Sequence, residues 1–107
     1  MKRPLFYVSP GSVLRQEIAE ELGISQEKLA DAMGVSRLTI NEIVNEKRTV
    51  TAEMALKLAK ALGTDPRFWL NLQQDVDLAR AQSKLGAMSN VRVLRKSEDG
   101  IEEQAAE

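Results

Sequence analysis

Apolar residues recur every three or four positions between residues 10 and 85, which is the spacing of amphipathic helices. The pattern predicts five helices, each preceded by a side chain that can accept hydrogen bonds from the free N–H groups of a first helical turn. These capping residues are Ser9, Ser25, Ser36, Thr51 and Asp65. Glycines are expected to end four of the helices, at Gly23, Gly34, Gly63 and Gly86. The sequence therefore predicts an all-α fold.

One face of each predicted helix is apolar and is expected to form the core. The inward residues of the first three helices are Val13, Leu14, Ile18, Ala19 (or Glu21), Leu22, Leu29, Ala30, Met33, Ile40, Ile43 and Val44. Those of the last two are Met54, Ala55, Leu58, Ala59, Leu62, Phe68, Trp69, Leu72, Val76 and Ala79. The fifth helix has a second apolar set, Leu78, Ala81 and Leu85. This second face favours a contact between two copies of the chain, and a wide core face is the alternative.

Beyond Gly86 the pattern changes. Residues 91–94 predict a short strand, and because isolated strands are marginal, we expect its partner to be the same strand of a second copy. Val91 and Val93 therefore join Leu78, Ala81 and Leu85 in the predicted dimer interface.

The C-terminal tail is acidic. Residues 97–107 contain five carboxylates and no Lys or Arg, whereas residues 1–96 have all 15 basic and the other 11 acidic residues, a net charge of +4. The tail has too few apolar residues to fold, so we expect it to be disordered. Alternatively, it competes for a basic surface on its own body or on a partner. The segment 3–8 could dock on either as well.

The composition excludes several kinds of site and of catalysis. The chain of 107 residues has no Cys and no His, which excludes disulfides, thiolate metal sites and catalysis by Ser-His-Asp or Cys-His groups. No apolar run approaches the roughly 20 residues that span a bilayer. We therefore expect a soluble, cytoplasmic protein that is not an enzyme and that has no cofactor, no metal site and no membrane partner.

The most informative stretch is QEKLADAMGVSRLTINEIVN, residues 26–45. Two short helices joined by Gly-Val-Ser are typical of a helix-turn-helix. Ala30 is small enough for close helix approach, and Gly34 suits a turn that needs a positive φ. An ordinary helical hairpin is the alternative. We divide the chain into a helix-turn-helix DNA-binding domain, 1–85, and a C-terminal segment, 86–107.

If Ile40 and Ile43 point inward, the opposite face of the third helix can enter a DNA major groove. Candidate base-contacting residues on this face are Ser36, Arg37, Leu38, Asn41 and Glu42. Arginine pairs with guanine, asparagine with adenine, glutamate with the cytosine amino group, and an apolar side chain with the thymine methyl. For Leu38, the alternative is a position at the edge of the core.

Phosphate contacts are expected around this helix. The candidates are Gln26, Thr39, Asn45, Lys47 and Arg48. A solvated turn is the alternative for Lys47 and Arg48. Because so few phosphate contacts per subunit give weak binding, tight binding to double-stranded DNA requires a dimer on two half-sites.

The sequence resembles the HigA antitoxins, also called VapI-type antidotes, within the lambda-repressor-like helix-turn-helix proteins. The resemblance covers about residues 4–85 and is most specific in TAEMALKLAKALGTDPRFWLNLQQDVDL, residues 51–78. Two motifs differ from the family's usual residues: Ser9-Pro10-Gly11-Ser12 replaces His-Pro-Gly-Glu, and Val76 replaces the tyrosine of Tyr-Asp-Leu.

The resemblance implies a lambda-repressor-like fold and an antitoxin function. Such proteins neutralise a HigB-like toxin, an mRNA interferase similar to RelE, and bind operator DNA as homodimers to repress their own operon. A plain transcriptional regulator without a toxin partner is the main alternative. A protein-interaction module that has lost DNA binding is a further one.

Overall fold

The computed structural model describes residues 8–97 and 100–105. In this part of the chain, five helices precede two strands. Helix α1 spans Pro10–Gln16 and continues into a π-helical segment, Glu17–Leu22; then follow α2 (Gln26–Met33), α3 (Arg37–Val44), α4 (Ala52–Leu62) and α5 (Pro66–Leu85). The five-helix prediction is confirmed. Residues 1–7, which include most of the segment expected to dock, and the tail residues 98, 99, 106 and 107 lie outside the described residues.

Local signals in the sequence set the helix ends. All five predicted capping side chains accept a hydrogen bond from a backbone N–H of the following turn, at 2.7–3.3 Å. After α2, Gly34 adopts a left-handed conformation with φ 70°, and the Val35 N–H then donates to the Ala30 carbonyl at 3.0 Å. A glycine takes this conformation without steric cost, so the chain can reverse sharply into α3.

The core lies between the helices. Helix α3 packs against α1 and α2, and α4 packs against α2 and α5. The fully buried side chains with the largest volume are Trp69, Leu14, Leu29, Ile40, Ile43, Leu58 and Val50. All of these except Val50, which lies in a loop, were predicted to point inward.

Three residues predicted to face the core are instead exposed. Leu22 and Ala19 lie in the π-helical segment, where Gly23 N–H donates to the Ile18 carbonyl five residues back. The wider turn rotates later side chains away from the face that a 3.6-residue period predicts. Phe68 is 42% exposed and packs edge-on against Trp69, with ring centroids 5.1 Å apart.

The C-terminal segment also differs from the prediction. Strand β1 (Arg92–Ser97) pairs antiparallel with β2 (Gly100–Ala105), in a register that runs from Arg92 opposite Ala105 to Ser97 opposite Gly100. The strand's partner is thus the chain's own tail, which we expected to be disordered, rather than a second copy. Only two positions separate the strands in the sequence, so bringing the strands together costs little chain entropy and local pairing is favoured.

Candidate nucleic-acid interface

Helices α2 and α3 form the predicted helix-turn-helix. Leu29 and Ala30 of α2 are buried together with Ile40 and Ile43 of α3, and the turn between the helices is residues 34–36. Because these apolar side chains fix how the helices cross, the opposite face of α3 is left in solvent.

The predicted base-contacting residues lie on that open face. Ser36 caps α3, and Arg37 is its first residue; both are exposed, as is Asn41 one turn further on. Leu38 is 65% exposed, so it is not a core-edge residue. An apolar side chain that projects into solvent between polar neighbours is suited to contact a thymine methyl group.

Hydrogen bonds fix the orientation of several of these side chains. The Asn41 Nδ2 group donates to Gln26 Oε1 at 3.3 Å, which links the start of α2 to the middle of α3. Ser36 Oγ and Thr39 Oγ1 lie 2.9 Å apart, and Asn45 Nδ2 donates to the Asn41 carbonyl at 2.9 Å. The structure thus brings three predicted phosphate candidates into contact with two predicted base candidates.

Glu42 and Arg48 form an ion pair. Arg48 Nε and Nη2 donate to the same carboxylate oxygen, Glu42 Oε1, at 3.3 and 2.9 Å. A carboxylate engaged in this way would have to release the arginine before it could accept from a cytosine amino group. Arg48 has five N–H donors, and this pair uses two of them.

The α3–α4 loop, residues 45–50, begins with a defined helix end. The Glu46 N–H donates to the Ile43 carbonyl at 3.0 Å and the Lys47 N–H donates to the Glu42 carbonyl at 2.8 Å, the pair of bonds of a Schellman motif. Glu46 occupies the left-handed position, with φ 59°, that glycine fills in the other turns. Lys47 and Arg48 are exposed directly after this turn.

Sequence reasoning missed the residues through which α1 supports α3. A Cβ added to Gly11 would lie 2.7 Å from the Val44 carbonyl oxygen and closer still to that of Ile43, so only glycine fits there. Arg15 Nη2 donates to the Val44 carbonyl at 3.2 Å. Ser9 was predicted only to cap the first helix, and no local pattern in residues 9–11 indicated this long-range contact.

The predicted dimer residues are exposed. Leu78 and Leu85 on α5 are 55% and 59% exposed, and Ala81 lies in solvent between them. Val91, just before β1, and Val93 in β1 are also exposed, at 51% and 39%. Leu94, which we had not included, is exposed too.

Among the described residues, no group of acidic side chains is arranged to hold a metal ion. Within the same residues, no helix is both long enough and apolar enough to cross a membrane.

The arrangement of α2, the turn and α3 defines the class of protein: a helix-turn-helix domain.

Comparisons with known proteins agree with this class. The sequence model of the helix-turn-helix family matches residues 15–69. Antitoxin HigA-1 of Vibrio cholerae is 49% identical over 71 residues, which cover 66% of this chain and 67% of that protein. A Haemophilus influenzae protein described as an uncharacterized helix-turn-helix-type transcriptional regulator is 46% identical over 70 residues, 65% of each chain.

Solved structures extend the likeness to more of the chain. The structure of antitoxin GraA in complex with its operator is 40% identical, with a TM-score of 0.77, and the match covers 89% of this chain and 98% of that one. The chain belongs to the helix-turn-helix family, in the group that contains the HigA antitoxins.

Proposed function

We propose that this chain is a HigA-type antitoxin that binds operator DNA as a dimer, represses its own operon and neutralises a HigB/RelE-like mRNA interferase. It acts by binding rather than as an enzyme, in the cytoplasm. The observation that carries DNA binding is the open face of α3, where Arg37, Leu38 and Asn41 project beside Ser36 at the start of the helix.

Phosphate contacts would flank that face on both sides. Gln26 begins α2, where backbone N–H groups point outward, and Lys47 and Arg48 follow the end of α3. Phosphate contacts on both sides of a recognition helix fix its depth and register in the groove. GraA, which matches most of this chain, has been solved with its operator.

A homodimer is supported by the exposed apolar surface on α5 and β1. Leu78, Leu85, Val91 and Val93 lie in solvent in the single chain, which is costly for side chains of this size. A second copy could cover them with the same surface, as two-fold symmetry requires. The two recognition helices would then reach two half-sites about one helical turn apart.

DNA binding is tested with a duplex taken from the region upstream of the chain's own gene. Arg37→Ala and Asn41→Ala should each lower the affinity about 5- to 150-fold, because one bidentate base contact is worth about 1–3 kcal/mol. Lys60→Ala is the matched control, since it removes an exposed cation from the last turn of α4. Unchanged binding by the two α3 variants would exclude this face as the reading surface.

The toxin partner needs a separate test, since a plain regulator would share every DNA contact. The Haemophilus influenzae relative is named only as a regulator, which favours a plain transcriptional regulator as the second candidate function. We would express the product of the adjacent gene alone and together with this chain, and measure growth and mRNA integrity. Growth arrest relieved by coexpression supports an antitoxin. No arrest, with operator binding intact, supports the plain regulator.

A further inference from the structure

Gln73 is a polar residue on a buried helix face. It lies one turn from Trp69 and from Val76 on α5, and only 7% of it is exposed. Helical periodicity would place an apolar side chain here. A buried amide is tolerated only when its polar atoms are bonded, so its partners indicate its role.

Both ends of the Gln73 amide are bonded. Its Oε1 accepts from the Val50 N–H at 2.8 Å, and its Nε2 donates to Asp77 Oδ1 at 3.0 Å. The bond to Asp77 fixes which way the amide points. The bond to Val50 is made to the backbone at the end of the α3–α4 loop, 23 positions away in the sequence.

The α3–α4 loop is therefore held at three places. Its start is fixed by the Schellman bonds of Glu46 and Lys47, its middle by the Arg48–Glu42 ion pair, and its end by Gln73. A long contact of 3.5 Å from Arg80 Nη2 to the Glu46 carbonyl joins α5 to the start of the loop as well.

We propose that Gln73 is a positioning residue for DNA binding: from α5 it sets the α3–α4 loop so that Lys47 and Arg48 meet the phosphate backbone. This inference rests on the proposed function. A loop that is already ordered loses less conformational freedom on binding, so its cations bind phosphate more tightly. Helix α5 also carries Leu78 and Leu85. The same helix would therefore form the proposed dimer contact and hold the α3–α4 loop.

The test is the salt dependence of binding to a random-sequence duplex of about 30 base pairs, since phosphate contacts do not depend on sequence. Gln73→Met removes both hydrogen bonds without changing the net charge. We expect affinity at low salt to fall about five- to tenfold. The slope of log affinity against log salt should become shallower by about 1–2 per protomer, because each lost phosphate contact contributes about 0.9.

Exchanging the amide of Gln73 with the carboxylate of Asp77 keeps the net charge and should rescue binding. Gln73→Glu alone sets a second carboxylate against Asp77 and should also weaken binding. In Gln73→Glu combined with Asp77→Asn, residue 73 can still accept from Val50 N–H and from the new amide. This double variant should recover much of the wild-type slope.

Two measurements separate positioning from lost stability. Ile18→Val, in the π-helical segment, also lowers stability and should leave the slope unchanged. In a background of Lys47→Ala with Arg48→Ala, Gln73→Met should have almost no further effect on affinity, because it acts through those two cations.

The outcomes are distinct. An unchanged slope in Gln73→Met, with wild-type binding intact, overturns the inference and leaves the proposed function standing. Failure of the wild-type chain to bind any duplex overturns both. Faster hydrogen exchange at the Val50 N–H in Gln73→Met, together with the shallower slope, supports the inference.

Discussion

Trp69 joins the start of α5 to the core. Only 1% of it is exposed, and its indole N–H donates to Thr64 Oγ1 at 2.8 Å, in the loop that connects α4 to α5. Phe68 packs against the indole ring in a T-shaped arrangement. The side chain therefore combines a large buried apolar area with one satisfied polar group, which is how buried tryptophans are usually accommodated.

Trp69→Ala should lower the free energy of unfolding by about 3–5 kcal/mol, because it removes most of a fully packed ring. Trp69→Phe, which keeps a ring but loses the hydrogen bond to Thr64, should cost less. Urea unfolding followed by circular dichroism measures both variants, since Trp69 is the only tryptophan and its fluorescence is lost. A cost below 1 kcal/mol for the alanine variant would mean that the ring is not packed in solution.

At the scale of elements, the recognition helix depends on α1. Gly11 allows the start of α1 to approach the last carbonyls of α3, and Arg15 donates to one of them. The position of α3 is thus set by α1 at its C-terminal end and by α2 through the apolar core. The usual glutamate of the family at position 12 is a serine here, whose hydroxyl donates to the Ser9 carbonyl at 2.9 Å.

Gly11→Ala tests this approach. Alanine normally stabilises a helix relative to glycine by about 0.5–1 kcal/mol. Here the added methyl would meet backbone oxygens that have little room to move, and overpacking costs about 1–3 kcal/mol. We expect net destabilisation and weaker operator binding, measured by thermal unfolding and by titration of the duplex. Gln16→Ala, an exposed position of α1, is the control, and a stabilised Gly11→Ala protein would contradict the close approach.

At the scale of the whole molecule, the chain's shape and its hairpin bear on assembly. The described chain is 61 Å long and 29 by 21 Å across. Most contacts of its hairpin are between its own two strands. Two-stranded hairpins are marginal alone, so a neighbouring copy packed on β1 and α5 would stabilise both.

Leu85→Glu should therefore convert the dimer to a monomer, because it places a charge within the proposed apolar contact. Sedimentation velocity measures the mass, and operator affinity should fall by at least tenfold when two half-sites can no longer be bound together. Leu56→Glu, at an exposed leucine of α4, serves as the control and should remain dimeric. A wild-type chain that sediments as a monomer at micromolar concentration would contradict the proposal.

The sequence alone determined the helices, their ends and the open face of α3. These features depend on contacts within a few residues: a capping side chain, a left-handed glycine, or the period of apolar positions. Ser36 and Gly34 carry their structural roles in their own chemistry, and so the helix-turn-helix could be predicted in detail.

Only the tertiary structure decided how that interface is supported. Three contacts join residues that no local pattern relates: Gly11 with α3, Gln73 with Val50, and Arg48 with Glu42. The π-helical turn directed the Leu22 side chain away from the core, and the sequence analysis did not predict the pairing of β1 with β2. Long-range contacts depend on how helices and strands pack against each other, and the local period of apolar residues carries no information about this packing.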